Sequence, residues 1–215
     1  MEVWKAIVVG IVQGLSEFLP VSSSGHIALL QHALGMRQVG AQSEITFELV
    51  LHLGTFLSVV IYFRRRLTGL LLSLWQKERK EDRRMILWLV LATMPATVAF
   101  LSARDIFEGA YDNPVLVGGC LLATGMILLL PKLLPREPRE FGLRQAVWMG
   151  VAQSLAILPG ISRSGATITA GLLAGGKASK AAEFSFLMFL PAIGGGTLLK
   201  LRELRDVIQG EAAMA

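Results

Sequence analysis

Long apolar stretches dominate the hydropathy pattern of the chain. Four of them are continuous, at residues 45–63, 85–101, 114–130 and 181–199. A helix needs about 20 apolar residues to cross a bilayer, so each stretch predicts a spanning helix. Two further apolar stretches, residues 6–30 and 146–175, are interrupted by clusters of Pro, Gly and Ser. Irregular backbone is tolerated at membrane depth only inside the protein or against a wet cavity, so these two predict broken or re-entrant helical hairpins.

The composition favours the same class, an all-α polytopic membrane protein. Of the 215 residues, 53% are hydrophobic and 17% are charged, and the mean hydropathy is +0.57. A soluble domain carries about 25% charged residues, so a large soluble domain is excluded. The single cysteine, Cys120, excludes a disulfide framework and a cysteine metal cluster. We attribute the net charge of +5 to cytoplasmic loops and anionic lipid, and expect no nucleic-acid partner.

The basic residues of the loops predict an orientation. Segments 64–84 and 132–144 hold eight and four Lys or Arg residues, whereas segments 31–44 and 102–113 hold one each. The positive-inside rule places the first two segments in the cytoplasm and the other two outside. Residues 67–75 predict either an amphipathic helix on the inner membrane surface or an ordinary loop.

An internal repeat relates the two interrupted stretches. With a constant offset of 140, residues 13–25 align without gaps on residues 153–165, and Gln13, Ser22 and Gly25 are among five identical positions. Three predicted crossings lie between the copies, so the copies enter the membrane from opposite sides. This predicts an inverted-topology repeat, with repeat 1 at about 1–130, repeat 2 at about 143–205 and a site near the midplane.

The first interrupted stretch carries chemically active side chains within ten residues: Glu17, Ser22, Ser23, Ser24 and His26. A carboxylate in an apolar segment is costly and indicates function by default. Together these groups offer a proton acceptor, a nucleophile and a second acid or base. The structural alternative is that the serines only break the helix and that Glu17 caps a helix end.

The second interrupted stretch carries Arg163, the one basic residue deep inside an apolar region. Its planar guanidinium suits phosphate oxygens. The hydroxyls and glycine around it, near a predicted helix start at Ser164, allow backbone N–H groups to approach an anion. This predicts a phosphate site that is not a Walker P-loop. The alternative is an ion pair between Arg163 and Glu17 that only holds the bundle together.

Three other features are less specific. Glu48 and His52 lie one turn apart on one helix face, which suits either a metal ion or a helix–helix hydrogen bond. Glu183 falls where the last spanning helix is predicted to begin, where a carboxylate stabilises the helix dipole. Residues 194–196, three glycines, predict close helix packing or a flexible break.

The longer motifs resemble one protein family. Residues 13–26 (Gln-Gly-Leu-Ser-Glu-Phe-Leu-Pro-Val-Ser-Ser-Ser-Gly-His) and 159–167 (Pro-Gly-Ile-Ser-Arg-Ser-Gly-Ala-Thr) resemble the bacterial undecaprenyl-diphosphate phosphatase family linked to bacitracin resistance. Residues 182–187 (Ala-Glu-Phe-Ser-Phe-Leu) also resemble it, and the similarity runs from about residue 3 to about residue 205. The resemblance implies a cell-membrane hydrolase that removes the terminal phosphate of a C55 isoprenyl diphosphate, which regenerates the lipid carrier for peptidoglycan synthesis.

The resemblance also implies residue roles. Glu17 matches the motif acid, Ser23 the proposed nucleophile, and His26 the histidine assigned as base, acid or nucleophile. Arg163 joins them as a catalytic residue, and the expected diphosphate contacts are Gln13, Ser22, Ser162, Arg163, Ser164 and Thr167. A divalent metal, Mg²⁺ or Ca²⁺, is implied, and Glu17 and Glu48 are its candidate ligands. An isoprenyl diphosphate substrate, the lipid bilayer, a possible homodimer and a site open to the outer face complete the expectation.

Two departures from the family pattern change the expectation. Some members have Glu where this chain has Gln13, so metal binding moves onto Glu17, the diphosphate oxygens and water. The family continues for two spanning helices beyond the segment that matches residues 181–199, so a fragment or a reduced member is expected.

Two rival functions compete with hydrolysis. A lipid-phosphate flippase or anion transporter would also have inverted repeats, broken helices and a midplane pair of Arg and Glu. The Ser23 and His26 pair favours an enzyme, because a carrier needs no nucleophile. A structural membrane subunit would need neither Glu17 nor Arg163 in an apolar segment.

Overall fold

The computed structural model describes residues 2–36, 41–103, 109–110 and 113–214, without the side chains of residues 41–46, 48, 199–200, 202–204 and 206–214. In this part of the chain the regular structure is helical, and one isolated bridge joins Arg139 to Gly176. The helices are α1 (Val3–Ser16), α2 (Ser23–Ala33), α3 (Ala41–Tyr62), α4 (Arg64–Leu72), α5 (Lys80–Ser102), α6 (Pro114–Leu133), α7 (Leu143–Leu155), α8 (Arg163–Leu173) and α9 (Ala178–Met214). The predicted all-α class is confirmed.

The four continuous apolar stretches all form helices, namely α3, α5, α6 and α9. Among the described residues, three segments are long and apolar enough to cross a membrane: Lys80–Ser102, Pro114–Leu133 and Ala178–Leu198. In α3 the continuous run of described side chains, Leu49–Tyr62, also forms an apolar helix. The outward faces of α5 and α6 carry large exposed apolar side chains such as Val90, Met94 and Met126. Such faces suit contact with lipid.

The two interrupted stretches fold as helical hairpins, as predicted. Residues 17–22 join α1 to α2, and residues 156–162 join α7 to α8. The backbone of α7 lies so close to α5 that a Cβ on Gly150 would come within 2.6 Å of the Ala92 carbonyl oxygen. Small residues permit this kind of approach between membrane helices. Since α8 also packs against α6 and α9, the second hairpin is enclosed by three long helices.

The main apolar core lies where α5, α7 and α9 meet. Met149, Phe184, Leu187 and Met188 are almost completely buried there. Leu70 of α4 joins the same cluster, while its neighbour Leu71 is exposed. The segment 67–75 is therefore largely an amphipathic helix docked on the bundle, and not an ordinary loop.

An ion-pair network ties α4, α5 and α9 together at one end of the bundle. Arg66 donates to Asp82 Oδ1 at 2.6 Å and to Glu183 Oε1 at 2.8 Å, and Lys180 Nζ lies 2.9 Å from Glu183 Oε2. Burial lowers the pKa of Arg66, but the hydrogen bonds and charges of Asp82 and Glu183 outweigh it and raise that pKa above its ordinary value. The expected role of Glu183 at a helix start was wrong. Because α9 begins at Ala178, Glu183 lies past the first turn and pairs with Arg66 instead.

Candidate functional site

In each hairpin, one serine caps the start of the second helix. Ser22 precedes α2, and its Oγ accepts a hydrogen bond from the Gly25 N–H at 3.3 Å. Ser162 precedes α8, and its Oγ accepts from the Gly165 N–H at 3.0 Å. Free N–H groups and the helix dipole at such termini favour an anion. Each hairpin therefore offers one helix start that suits a phosphate group.

The first of the two caps has a strained backbone. Ser22 has φ 66° and ψ 92°, and it is the one non-glycine residue with positive φ in the described part of the chain. Ser162, its counterpart in the repeat, has φ −72°. Strained positions of this kind cost about 1–3 kcal/mol and cluster at functional sites. The two turns thus share their hydrogen bonds but differ in backbone geometry.

The two turns contact each other reciprocally. A Cβ on Gly25 would lie 2.8 Å from Gly160 Cα, and a Cβ on Gly165 would lie 3.1 Å from the Pro20 carbonyl oxygen. Each contact maps onto the other through the offset of 140. Reciprocity of this kind is typical of two elements related by a two-fold axis. Because Gly25 and Gly165 have no side chains, the two turns can pack backbone to backbone.

Glu17 and Arg163 form the central contact between the hairpins. Arg163 Nη2 donates to Glu17 Oε1 at 2.7 Å, and the two side chains are only 16% and 10% exposed, respectively. Glu17 Oε2 accepts hydrogen bonds from the Ser23 hydroxyl and from Gln13 Nε2, the latter at 3.1 Å. A buried pair needs such added hydrogen bonds to offset the loss of hydration. The ion pair proposed as a structural alternative is therefore present, and it lies at the residues predicted to carry chemistry.

A cavity of about 130 Å³ lies at this contact, with lining residues from both hairpins, α3 and α9. Its polar lining consists of six serines, one carboxylate, one imidazole and one guanidinium: Ser16, Ser22, Ser23, Ser24, Ser162, Ser164, Glu17, His52 and Arg163. Hydroxyls and a cation around a small volume are the groups that bind phosphate oxygens. The structure therefore brings six of the predicted site residues to one cavity. Gln13 does not line the cavity, but its Nε2 donates a hydrogen bond to Glu17 Oε2.

Two predicted site residues lie elsewhere. His26 is exposed and is not one of the residues that line the cavity. Its Nδ1 lies 2.8 Å from the carbonyl oxygen of Ser22, four residues earlier in the chain. Thr167 is completely buried, and its hydroxyl lies 2.8 Å from the Arg163 carbonyl oxygen and 2.7 Å from Ser185 Oγ on α9. A direct phosphate contact by Thr167 therefore does not agree with this geometry, because its hydroxyl faces α9.

The imidazole in the cavity wall belongs to His52 on α3. The sequence singled out His52 only with Glu48, whose side chain lies outside the described residues. Among the described residues, no cluster of three or more His, Cys, Asp or Glu side chains could hold a metal ion. Gln13 connects α3 to the site as well, because its Nε2 lies 3.5 Å from Thr55 Oγ1.

Thr124 on α6 was missed by sequence reasoning. Its hydroxyl donates to the Gly160 carbonyl oxygen at 2.7 Å and accepts from the Ser162 N–H at 2.9 Å. It thereby fixes the turn that precedes α8. The available signal was a threonine inside an apolar helix, where hydroxyls commonly bond across helices.

We expect Thr124→Val to lower the free energy of unfolding by about 1–3 kcal/mol, because a buried N–H and a buried C=O lose their partner. Thr124→Ser keeps the hydroxyl and should lose far less. Thermal unfolding of the purified protein in detergent measures both. Thr97→Val is the matched control, since Thr97 is exposed and donates only within its own helix, to Thr93 O at 3.1 Å. Equal loss in the valine variants at 124 and 97 would refute the role of Thr124.

Comparison with known proteins gives consistent matches over nearly the whole chain. The family described as "Bacitracin resistance protein BacA" matches residues 6–215. An "Undecaprenyl-diphosphatase" of Syntrophotalea carbinolica is 44% identical over 209 residues, which cover 94% of this chain and 78% of the relative. Proteins of the same name from Salinibacter ruber and Rubrobacter xylanophilus are 37% and 41% identical, and cover 99% and 95% of this chain and 82% and 78% of their own lengths.

Proposed function

The chain belongs to the Bacitracin resistance protein BacA family, and from that premise we propose that it is an undecaprenyl-diphosphatase. It is an integral membrane enzyme that hydrolyses the C55 isoprenyl diphosphate to the monophosphate lipid carrier used for peptidoglycan synthesis. The observation that carries this function is the contact of Arg163 with Glu17 and of Glu17 with the Ser23 hydroxyl in one cavity. A cation, a base and a nucleophile are the parts that phosphoryl transfer requires.

The size of the cavity supports a headgroup site. Its volume is about 130 Å³, several times what a single water molecule needs. This suits a diphosphate, whereas a C55 chain is far larger. The isoprenoid therefore stays outside, against the apolar surfaces of helices such as α1, where Ile7, Ile11 and Leu15 are exposed.

The residues of the cavity account for the chemical step. The terminal phosphoryl group lies between the starts of α2 and α8, where Arg163 and the Ser22 and Ser162 caps stabilise its negative charge. Ser23 Oγ, or a water in its place, attacks the terminal phosphorus while Glu17 takes the proton. The bond to the bridging oxygen breaks, and the lipid monophosphate leaves. Glu17 passes its proton to the departing lipid monophosphate. If Ser23 is the nucleophile, a water then attacks the phosphoserine while Glu17 takes the proton of the water, and Glu17 returns that proton to Ser23 Oγ as inorganic phosphate leaves.

Replacing Ser23 by alanine distinguishes attack by the Ser23 hydroxyl from attack by a water molecule. If Ser23 is the nucleophile, Ser23→Ala lowers kcat for phosphate release by at least about a hundredfold, and the wild type forms a phosphoserine that acid quenching traps. If water attacks, the loss is smaller and no phosphoserine forms. Mass spectrometry of the quenched enzyme measures the adduct. Ser58→Ala is the control, because Ser58 is exposed and bonds only to Gly54 O.

The site offers part of the ligand set that a divalent metal ion requires. Gln13 Oε1 is buried and has no hydrogen-bond partner in the part of the chain that the structure describes, and it lies on the same side chain that donates to Glu17. One amide oxygen and one carboxylate suit Mg²⁺, which commonly takes its remaining ligands from phosphate and water. Gln13 and Glu17 would therefore hold the ion, and when bound it would neutralise charge on the diphosphate oxygens.

We expect chelation by EDTA to abolish phosphate release, and excess Mg²⁺ or Ca²⁺ to restore it. A phosphate assay with purified protein in detergent measures this. Gln13→Glu, which adds a second carboxylate beside Glu17, should lower the Mg²⁺ concentration needed for half-maximal activity. Full activity of the wild type in EDTA would refute the metal requirement.

The topology that accompanies this function is an inverted repeat. Supporting it are the reciprocal contacts of Gly25 and Gly165 and the serine caps of both hairpins. The basic segments 64–84 and 132–144 then lie in the cytoplasm, and the cavity opens toward the outer face of the cell membrane.

The direct test is phosphate release from undecaprenyl diphosphate by the purified chain. Metal-dependent release by the wild type establishes the activity. A transporter would bind diphosphate and carry it across sealed vesicles without releasing phosphate, and that result would overturn the assignment. The relatives lend no support to this rival, since they are named as diphosphatases.

A further inference from the structure

An aromatic ring covers the guanidinium of Arg163. The Arg163 Cζ lies 4.4 Å from the ring centroid of Phe189 on α9, and Phe189 is 1% exposed. This distance is well within the range of a cation–π contact, which is strongest where water is excluded. Arginine suits such a contact because its planar group can stack and form hydrogen bonds at its edge together.

A buried terminal nitrogen of Arg163 has no hydrogen-bond partner in the described part of the chain. Its Nη2 donates to Glu17 Oε1, whereas its Nη1 is buried and has no partner among the described residues. Buried donors are nearly always paired, so an unpaired one needs an explanation. A substrate phosphate oxygen would supply the missing acceptor.

The ring is held in place by a second contact one helical turn away. Thr167 Oγ1 lies 2.7 Å from Ser185 Oγ, and Thr167 and Ser185 lie four residues from Arg163 and Phe189, respectively. Residues four apart share one face of a helix. The two contacts therefore lie one helical turn apart along the interface between the antiparallel helices α8 and α9. This explains why the Thr167 hydroxyl faces α9 and not the cavity.

We propose that Phe189 is a positioning residue for the reaction, acting through Arg163. Its ring fixes the plane of the guanidinium, so that Glu17 takes one terminal nitrogen while the other stays available to the phosphate. The ring also excludes water from that face, which strengthens the attraction between Arg163 and an anion. The inference rests on the proposed function, since it assigns Arg163 to the substrate phosphate.

The decisive experiment varies the charge distribution of the ring at nearly constant shape. Phenylalanine at 189 is replaced by its mono-, di- and trifluorinated analogues, which weaken the negative face of the ring stepwise. We expect the affinity for inorganic diphosphate, measured by calorimetry in detergent, to fall with each fluorine, and log(kcat/KM) to fall in parallel. The same series at Phe184 is the control. Phe184 is also fully buried on α9, but it packs against Phe141 at 4.8 Å.

Substitutions of Phe189 by two natural amino acids give a coarser version of the test. Phe189→Leu should weaken diphosphate binding and kcat/KM about thirtyfold, the size of a desolvated cation–π contact, whereas Phe189→Tyr keeps the ring face and most of both. Phe184→Leu should lower the melting temperature and leave diphosphate affinity unchanged.

The outcomes separate this inference from the proposed function. If the wild type binds diphosphate but releases no phosphate, the proposed hydrolysis fails, while the binding series still tests Phe189. Affinity that stays constant through the fluorinated series at 189 overturns the inference. Parallel losses at 184 and 189 also overturn it, because they indicate packing alone.

Discussion

Replacing Arg163 by alanine should be the most damaging single change in the protein. We expect kcat for phosphate release to fall by about a thousandfold or more, the cost of losing an arginine from a phosphoryl-transfer transition state. Arg163→Lys should recover only part of the loss, since an ammonium group keeps the charge but lacks the planar fork. Phosphate release under saturating lipid substrate measures kcat. Arg64→Ala is the control, because Arg64 is exposed and donates to Ile61 O.

A structural loss must be separated from the catalytic one. Without Arg163 the Glu17 carboxylate is left buried and without its cation, which costs about 3–5 kcal/mol of stability. Arg163→Lys keeps a cation beside Glu17, so we expect it to recover most of the thermal stability while phosphate release stays well below that of the wild type. Activity that returns together with stability would show that Arg163 only holds the hairpins together.

Replacing Gly160 by alanine should destabilise the protein strongly. Gly160 has φ +98°, which L side chains rarely adopt, and a Cβ there would lie 2.5 Å from the Val117 carbonyl oxygen and 2.6 Å from Cys120 Cβ. The atoms that this Cβ would meet belong largely to the backbone of α6, so the turn itself must shift. We expect strain and overpacking together to lower the free energy of unfolding by at least about 3 kcal/mol. The melting temperature in detergent and phosphate release should both fall.

A glycine of the first hairpin provides the matched control. A Cβ on Gly14 would meet nothing within 4 Å, and Gly14 is exposed within α1. Gly14→Ala should therefore be neutral or stabilising by about 0.5–1 kcal/mol, as expected for alanine in a helix interior. Similar losses at positions 14 and 160 would show that the close approach of the turn to α6 is not what Gly160 provides.

The helical class and the position of the breaks could be predicted from local signals. Length and hydropathy define α5, α6 and α9, and Pro, Gly and Ser clusters define the turns at 17–22 and 156–162. A carboxylate and a guanidinium inside apolar segments are so costly that a pair between them was the evident way to bury both. The Glu17–Arg163 contact could therefore be anticipated as an alternative, although 146 positions separate the two residues.

The orientation of side chains after each break could not be predicted. The direction of the residues in α2 follows from the dihedral angles at Ser22, whose positive φ is rare for serine. His26, expected in the site, consequently folds back onto its own helix turn, while His52 of another helix lines the cavity. No local pattern distinguishes these two histidines, because the difference depends on how α3 packs beside the first hairpin.

The sequence by itself determined the membrane class, the two broken hairpins and the residue types of the phosphate site, because hydropathy, turn residues and the cost of buried charge act over a few neighbouring positions. Only the tertiary structure decided which of those residues share the cavity. Thr124, Phe189 and Thr167 acquire their roles from helices packed side by side. The physical reason is that a hydrogen bond or a ring contact requires distances of a few ångströms, which are set by the packing of whole helices and not by spacing along the chain.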